Sequence, residues 1–545
     1  MEAEPRIVLC MLAGDDERTI ERSLDAALPL VDAWVVCTHG TDRSHELVEQ
    51  RGAEKPGLLL RHEWRDFGHQ RSLALKAATA WLAERSLGDA ERSWPLQETY
   101  LLLVDADLVL QVDPAFSRAE LAAPHYEVEL LKGGVRSFHS ILLRLSHAWR
   151  CVGVASEYWR ASGAPPAERL ATLRVESIED PASWPARLAR RIALLERGLE
   201  DEPGNVRYLL ELGNAHFEAG HYEQAEYWYD RRVEAAGDEE ACWYAAYRLG
   251  LARLYQGQGE LGAGQVLAAY QRRPSRAEPL CALSKHYRER GKNQLAHLLA
   301  RQARELTLPR NDRVGVEPEA YRSRALEEIA ITAYYVGKLD EGLEACEQLL
   351  AQRGHPASLY EYVARNELFY LPPDAAPVRR GTCEAPEPEV EPILHFRVDG
   401  ELYLIVSHDP LVVHAVDEAL GISTEVSRWA PPWHCSRWRS STAPVRFDGD
   451  RWLMLVHEIV ESPSGAVHVQ RWVELRVGSP PGEGARLDVS VTRYGRPFTF
   501  EQQGVEVALK LAFQRDTFIV TYRSVTGEAR FMEFERSRVE ARLGA

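Results

Sequence analysis

Residues Tyr100–Leu110 read YLLLVDADLVL, an almost unbroken apolar run that carries two carboxylates, Asp105 and Asp107, two positions apart. Burying an unpaired carboxylate is costly and forces either protonation or a cationic partner. In an α/β sheet the carboxyl ends of the strands open onto the ligand crevice, so a strand ending in Asp-Ala-Asp sets two acids where a ligand lies. Two hard oxygen donors this close in sequence suit Mg²⁺ or Mn²⁺, which binds through one or two carboxylates together with substrate phosphates. The chemistry suggested is a diphosphate leaving group held by a metal. The bland alternative is a turn with a helix-capping aspartate.

The surroundings of this run fit the first reading. Up to about residue 180, short β-type runs (RIVLCML, DAWVVCT, YLLLVDADLVL) alternate with helical patterns such as ERTIERSLDAAL and HQRSLALKAATAWLAERS, which predicts a mostly parallel α/β domain over 1–180. Over 186–370 strands give way to Ala, Leu, Glu, Arg and Tyr at helical spacing. Glycines at 220, 257, 291 and 337 mark a repeat with spacings of 37, 34 and 46 residues, against a tetratricopeptide period of about 34. The glycine serves the turn between two antiparallel helices, and an alanine five residues later (Ala225, Ala296) serves their close crossing. The long spacing carries an insertion, TLPRNDRVGVEPEAYRS. Such solenoids offer a concave face for peptide or protein capture, or act as rigid spacers.

Residues 371–391 are proline-rich and partly acidic, a linker in composition. From 392 to 545, runs such as RWLMLVHEI, VHVQRWVEL and TFIVTYR, separated by Gly, Pro, Ser and Asp, predict an all-β domain. The fold class expected is therefore multidomain: α/β, then an all-α solenoid, then all-β. HEIVE (His457–Glu461) lacks the second histidine of a zinc-protease helix and lies in a strand pattern. His457, Glu458, Arg471 and Glu506 are candidates for a carbohydrate cleft or for satisfied structural groups, and Trp433, Trp438, Trp452 and Trp472 read as core.

The chain has 545 residues, 45% hydrophobic and 27% charged, enough for several cores. A formal net charge of −17 argues against nucleic acid or an anionic membrane as the main partner. Eight scattered cysteines without Cys-x-x-Cys are expected to be reduced, which points to a cytoplasmic protein. The N-terminus lacks a signal-peptide pattern, and no run reaches the roughly 18 apolar residues of a membrane span.

The chain resembles the family 2 glycosyltransferases of the GT-A fold, in particular the bacterial subgroup that carries tetratricopeptide repeats. The landmarks are IVLCMLAGDDERTIERSL, DAWVVCTHGTDRS, WRDFGHQRS, LLLVDADLVL and WRCVGVASEYW, followed by RRPSRAEPLCALSKHYRERGK and AYYVGKLDEGLEACEQLL in the repeats. The resemblance implies a Rossmann-like GT-A domain and an inverting transfer of a sugar from a nucleotide-diphosphate donor. It gives Asp105 and Asp107 the role of metal and diphosphate ligands, with Mn²⁺ or Mg²⁺ as cofactor. Arg71 in HQRS is implied to meet the nucleotide, together with Asp42 in GTDRS, Asp105, and Cys37, which replaces the family's aspartate at the end of the second strand. Glu157 in GVASEYW is implied to be the general base. Ser156 replaces a metal-shell histidine; His39, in CTHGTD, stands where the family usually has glycine and is either a compensating metal ligand or a surface residue; Asp15 and Asp16 replace Asn-Glu after the first strand. The C-terminal runs resemble β-propeller blades, with room for about three of the usual 40–50 residues. The partners expected are a nucleotide sugar and a peptide, protein or glycan acceptor presented by the repeats. The rival expectation is a catalytically degenerate transferase serving as a repeat-based protein- or glycan-binding scaffold.

Overall fold

The computed structural model of the protein describes all residues except 1–3, 87–93, 179, 236, 372–376, 384–394, 418, 420, 479–486, 502 and 544–545. The chain forms two compact units, Met1–His286 with Gln302–Arg322, and Tyr287–Arg301 with Ser323–Ala545.

The first unit opens with β1 (Arg6–Ala13), α1 (Ile20–Ala27), β2 (Ala33–Thr38), α2 (Ser44–Gly52), β3 (Gly57–Arg61) and α3 (Phe67–Ser86). It continues with β4 (Thr99–Leu102), β5 (Leu108–Val112), β6 (His125–Lys132), β7 (Val135–Arg144), β8 (Arg150–Val152), β9 (Tyr158–Arg160) and β10 (Glu168–Ser177). Eight of these strands make one sheet in the order β3-β2-β1-β4-β7-β6-β10-β5. Along β1, Ile7, Leu9 and Met11 join a core with Ile20 and Leu24 of α1 and Val48 of α2, while Val8, Cys10 and Leu12 join another with Ala74, Ala78 and Leu82 of α3. Both faces are covered, which is why the strand is a continuous apolar run.

The sheet is mixed, where a mostly parallel one was expected. Strands β3, β2, β1 and β4 pair in parallel, but β7 pairs antiparallel with both β4 and β6, and β5 antiparallel with β10. The two-residue turn Gly133–Gly134, with φ of +55° and +78°, folds β6 and β7 into a hairpin and so fixes their opposite directions. YLLLVDADLVL is likewise two strands. A turn in which the Leu108 amide donates to the Asp105 carbonyl at 3.0 Å breaks it, leaving β4 in the middle of the sheet and β5 at its edge.

The helices follow as α4 (Trp184–Asp201), α5 (Val206–Glu218), α6 (Tyr222–Glu234), α7 (Glu239–Tyr255), α8 (Gly259–Arg272), α9 (Glu278–Arg288), α10 (Asn293–Arg304), α11 (Ala325–Tyr335), α12 (Leu339–Ala351) and α13 (Ala357–Glu367). Gly220, Gly257, Gly291 and Gly337 lie between consecutive helices with φ of +74°, +82°, +70° and +73°, and Ala225 and Ala296 are fully buried. These are the helical hairpins that the repeat spacing predicts. The insertion returns to the sheet of its own unit: the Arg136 amide donates to the Val316 carbonyl at 2.7 Å, and Arg169 Nη1 to the Arg310 carbonyl at 2.7 Å. Arg276, with no exposed surface, ties it down through Glu278 at 3.0 Å and Asp312 at 3.1 Å.

The second unit adds antiparallel strands to its helices: β11 (Arg379–Thr382), β12 (His395–Val398), β13 (Glu401–His408), β14 (Leu411–Asp417), β15 (Ile422–Trp429), β16 (Arg439–Ser440), β17 (Val445–Asp448), β18 (Arg451–Ser462), β19 (Gly465–Gly478), β20 (Asp488–Tyr494), β21 (Val507–Gln514), β22 (Thr517–Arg523) and β23 (Ala529–Glu535), closed by α14 (Arg536–Arg542). They form sheets in the orders β12-β13-β14-β15, β16-β18-β19-β20 with β17 on β18, and β11-β23-β22-β21. Strand β11 falls inside the stretch that reads as linker; its four residues pair with β23, a partner no local pattern reveals. Residues 372–376 and 384–391 of that stretch lie outside the described residues. Trp452 and Trp472 are core residues. Among the described residues no helix is long and apolar enough to cross a membrane.

Candidate active site

The strand order reverses at β1 and β4: the chain first winds outward through β2 and β3, then returns to place β4 on the other side of β1. A crevice at the carboxyl ends of the strands on either side of such a switch point is the usual ligand site of an open α/β sheet. Asp105 lies there, on the turn after β4. Its carboxylate accepts Arg71 Nη1 at 3.0 Å and Nη2 at 2.5 Å, and the Leu12 amide of β1 at 3.4 Å. Its carbonyl accepts the Ser23 hydroxyl of α1 at 2.8 Å. Arg71 Nε donates to Glu157, so one guanidinium bridges two carboxylates. The three side chains are only 14%, 20% and 12% exposed. Burial opposes the charge on Arg71, yet Asp105 and Glu157 hold its proton affinity above that of an ordinary guanidinium.

Helix α3 delivers Arg71 and is anchored where it starts. Asp66 accepts the His69 amide at 2.7 Å, and the Phe67 amide donates to the Val154 carbonyl at 3.2 Å. At Gly68 a Cβ would come within 2.3 Å of the Gly153 carbonyl oxygen, so only glycine lets the helix approach the turn that carries Glu157 this closely. That turn is strained: Ser156 has φ of +52°. Helix α5 holds it. The Ser156 hydroxyl donates to Glu211 at 2.9 Å, Arg207 Nε donates to the Ser156 carbonyl at 2.7 Å, and the Val154 amide donates to the Tyr208 hydroxyl at 3.1 Å. Against burial, which would raise it, Arg191 and Ser156 hold the Glu211 carboxyl below the usual range.

Asp107 is on the same turn as Asp105 and pairs with Arg187 of α4. Asp16, in the loop after β1, accepts the Gly14 amide at 2.6 Å. Burial, with Asp107 nearby, pushes its carboxyl up to about 6.

Of the residues named from sequence, Arg71, Asp105 and Glu157 are in direct contact and Asp107 shares their turn. Asp42 is a loop residue whose carboxylate accepts the Ser44 amide of α2 at 2.9 Å and the Glu17 amide at 2.8 Å. Cys37 is 2% exposed, its side chain is in the core on the α3 face of the sheet, and burial pushes its thiol up to about 11. The position at the end of β2 thus offers a ligand a neutral, buried thiol. The His39 ring packs against Trp64 at 4.2 Å. Arg187, Arg191 and Glu211 were not legible as site residues; the one trace is the i, i+4 pair Arg187 and Arg191 on a single helix face.

Asp105 and Asp107 supply hard carboxylate oxygens of the kind Mg²⁺ and Mn²⁺ prefer, and each now faces a guanidinium in the cation's role. Among the described residues no group of three or more His, Cys, Asp or Glu is arranged to hold a metal. Two carboxylates by themselves leave most of such an ion's coordination sphere to other donors.

No protein family matches the chain, and no curated protein matches it. Similar solved structures include MamA (41-end) from Desulfovibrio magneticus, at 18% identity over 31% of this chain and 88% of that one, with a TM-score of 0.24. YrrB, described as a TPR protein with an unusual peptide-binding site, is 15% identical over 31% of this chain and 79% of its own, TM-score 0.24. The C-terminal part of a TPR repeat-containing protein from Cytophaga hutchinsonii is 16% identical over 34% and 67%, TM-score 0.28. Likeness this slight carries no argument about this chain; its helical hairpins rest on its own turns and burial.

Proposed function

We propose that the first unit is a glycosyltransferase of the GT-A type, akin to family 2, which moves a sugar from a nucleotide diphosphate to an acceptor with inversion at the anomeric carbon. The observation that carries this reading is the contact of Arg71, Asp105 and Glu157 at the switch point of the sheet. Glu157 is the base: it takes the proton from the acceptor's attacking group. Arg71 orients Glu157 and offers charge-assisted donors to the nucleotide's phosphates. A Mn²⁺ or Mg²⁺ ion held by Asp105 and Asp107 would neutralise the charge of the leaving diphosphate. In this reading Asp42, in the loop before α2, is a further donor contact. The helices of this unit's repeats present the acceptor, a peptide, protein or glycan, and exposed Tyr227 and Tyr255 supply aromatic surface for it. The setting is a reducing cytosol.

A second reading has one observation in its favour. Each carboxylate of the cluster already has an arginine partner, as expected of a degenerate transferase kept as a binding scaffold. Incubation with UDP-, GDP- and dTDP-sugars, with and without Mn²⁺, separates the two. Release of nucleoside diphosphate supports the transferase; none from any donor supports the scaffold.

A further inference from the structure

A hydrogen-bond chain through α5, α6 and α7 of the first unit orients two side chains and leaves donors on both unspent. Arg248 Nε of α7 donates to the Tyr229 hydroxyl of α6 at 3.2 Å, and that hydroxyl donates to Asn214 Oδ1 of α5 at 2.8 Å. The chemistry fixes this direction. Arginine only donates, so the Tyr229 oxygen accepts from Arg248; Tyr229 is fully buried, so its own proton goes on to Asn214, which must present its oxygen. Arg248 Nη1 and Nη2 and Asn214 Nδ2 then make no hydrogen bond among the described residues, and no carboxylate there pairs with Arg248. Both side chains are partly exposed. The guanidinium lies over Phe217, 3.8 Å from the ring centroid, which holds its plane. Burial opposes its charge, yet Tyr229 and Tyr244 hold its proton affinity above that of an ordinary guanidinium.

Donors with no acceptor call for an anion. The paired Nη groups form the fork that matches the two oxygens of a carboxylate, and the Asn214 amide adds a further donor. The flank is aromatic carbon, which an aspartate or glutamate meets with a bare methylene stem. A uronic acid would bring ring hydroxyls whose hydrogens find no acceptor on Asn214, Arg248 or Phe217. A second negative charge is also opposed: burial above all, with Glu317 and Glu218 adding to it against Arg248, pushes the neighbouring Tyr244 hydroxyl above its usual range, and the same two acids repel a phosphate dianion more than a carboxylate. We propose that Asn214 and Arg248 bind a carboxylate side chain of an acidic peptide. The site rests on the reading of this unit's helices as presenting an acceptor and names its class; its test reads binding alone, so a chain without transferase activity leaves it standing.

Fluorescence anisotropy on the full chain tests this at about 0.15 M salt, where long-range repulsion by the acidic chain is screened. The probe is a fluorescein-labelled octapeptide amide of alternating Gly and Glu. The same peptide with Gln or phosphoserine in place of Glu, and a labelled tetrasaccharide of alternating N-acetylglucosamine and glucuronate, are the comparisons. The Glu peptide is expected to bind about tenfold or more tighter than each of them. Arg248→Gln removes the charge, and Asn214→Asp sets a carboxylate against the ligand while still accepting from Tyr229; each should weaken binding by about tenfold or more. Asn214→Asp is nearly isosteric, so it decides the matter even where Arg248→Gln lowers the melting temperature. No binding of the Glu peptide, equal binding of the Gln peptide, tighter binding of the phosphoserine peptide or the glucuronate, or unchanged affinity in Asn214→Asp would overturn the proposal.

Discussion

The Ser156 hydroxyl donates to the Glu211 carboxylate at 2.9 Å, so the turn bearing Glu157 is held by the first repeat hairpin as well as by the sheet. Glu211→Ala removes that acceptor and leaves Arg191 with only the more distant Glu218, at 3.5 Å. Amides of residues 153–157 should then exchange about tenfold faster with solvent, equivalent to ~1.4 kcal/mol of local stability. Glu211→Gln, which still accepts from Ser156, should change them less. Unaltered exchange in the alanine variant would mean that the turn is self-supporting.

The same contacts make the repeats more than an appendage. Cutting the chain after residue 180 removes Arg187 from Asp107, and Arg207, Tyr208 and Glu211 from the Ser156 turn. The fragment is expected to lose donor hydrolysis along with transfer. Hydrolysis at the full-length rate by residues 1–180 would show that the sheet builds the site alone.

Much of the cluster is legible because it violates a local rule. Acids inside the apolar run around Asp105 need a partner, and Arg71 and Glu157 stand in ordered landmarks. Arg187, Arg191 and Glu211 break no rule, since charged residues on amphipathic helices are what solvation requires. Only the packing of α4 and α5 makes them site residues. The split of YLLLVDADLVL is hidden for a similar reason: its turn has neither Gly nor Pro, and both flanks are apolar. Gly133–Gly134 signals a hairpin, but which strands flank β6 and β7 is a matter of tertiary pairing. Strand β11 depends wholly on β23, far along the chain.

Asp16 gives the site a pH signature. Its carboxyl is raised to about 6 in the fold, against about 3.9 in an unfolded chain. The protonated form is the one the fold favours, so its contribution is fully present below pH ~4 and is lost as pH rises through about 6. Asp16→Asn keeps an acceptor for the Gly14 amide and cannot ionise. It should stabilise the first unit by about 1–2 kcal/mol at pH 8 and by little at pH 4. Thermal melts across that range check it; an equal effect at both ends would show that Asp16 is not desolvated.

In the repeats, Gly220→Ala forces a side chain into φ of +74° and should cost about 1 kcal/mol. Ala225→Leu, at a fully buried crossing, should cost about 1–3 kcal/mol through overpacking. Denaturant titration followed by far-UV circular dichroism measures both. A neutral Ala225→Leu would mean that the hairpin has room that the close crossing denies.

In the proposed transferase, Asp105 and Asp107 serve a nucleotide diphosphate at the switch point of the sheet. The most direct measurement is the melting temperature of the full chain with UDP, GDP or dTDP, with and without Mn²⁺, since a ligand specific for the folded state raises it by mass action. An upward shift is expected for at least one nucleotide, one that requires Mn²⁺ and disappears in Asp105→Asn and in Asp107→Asn. No shift with any nucleotide, or a Mn²⁺-dependent shift that survives in both variants, would contradict it.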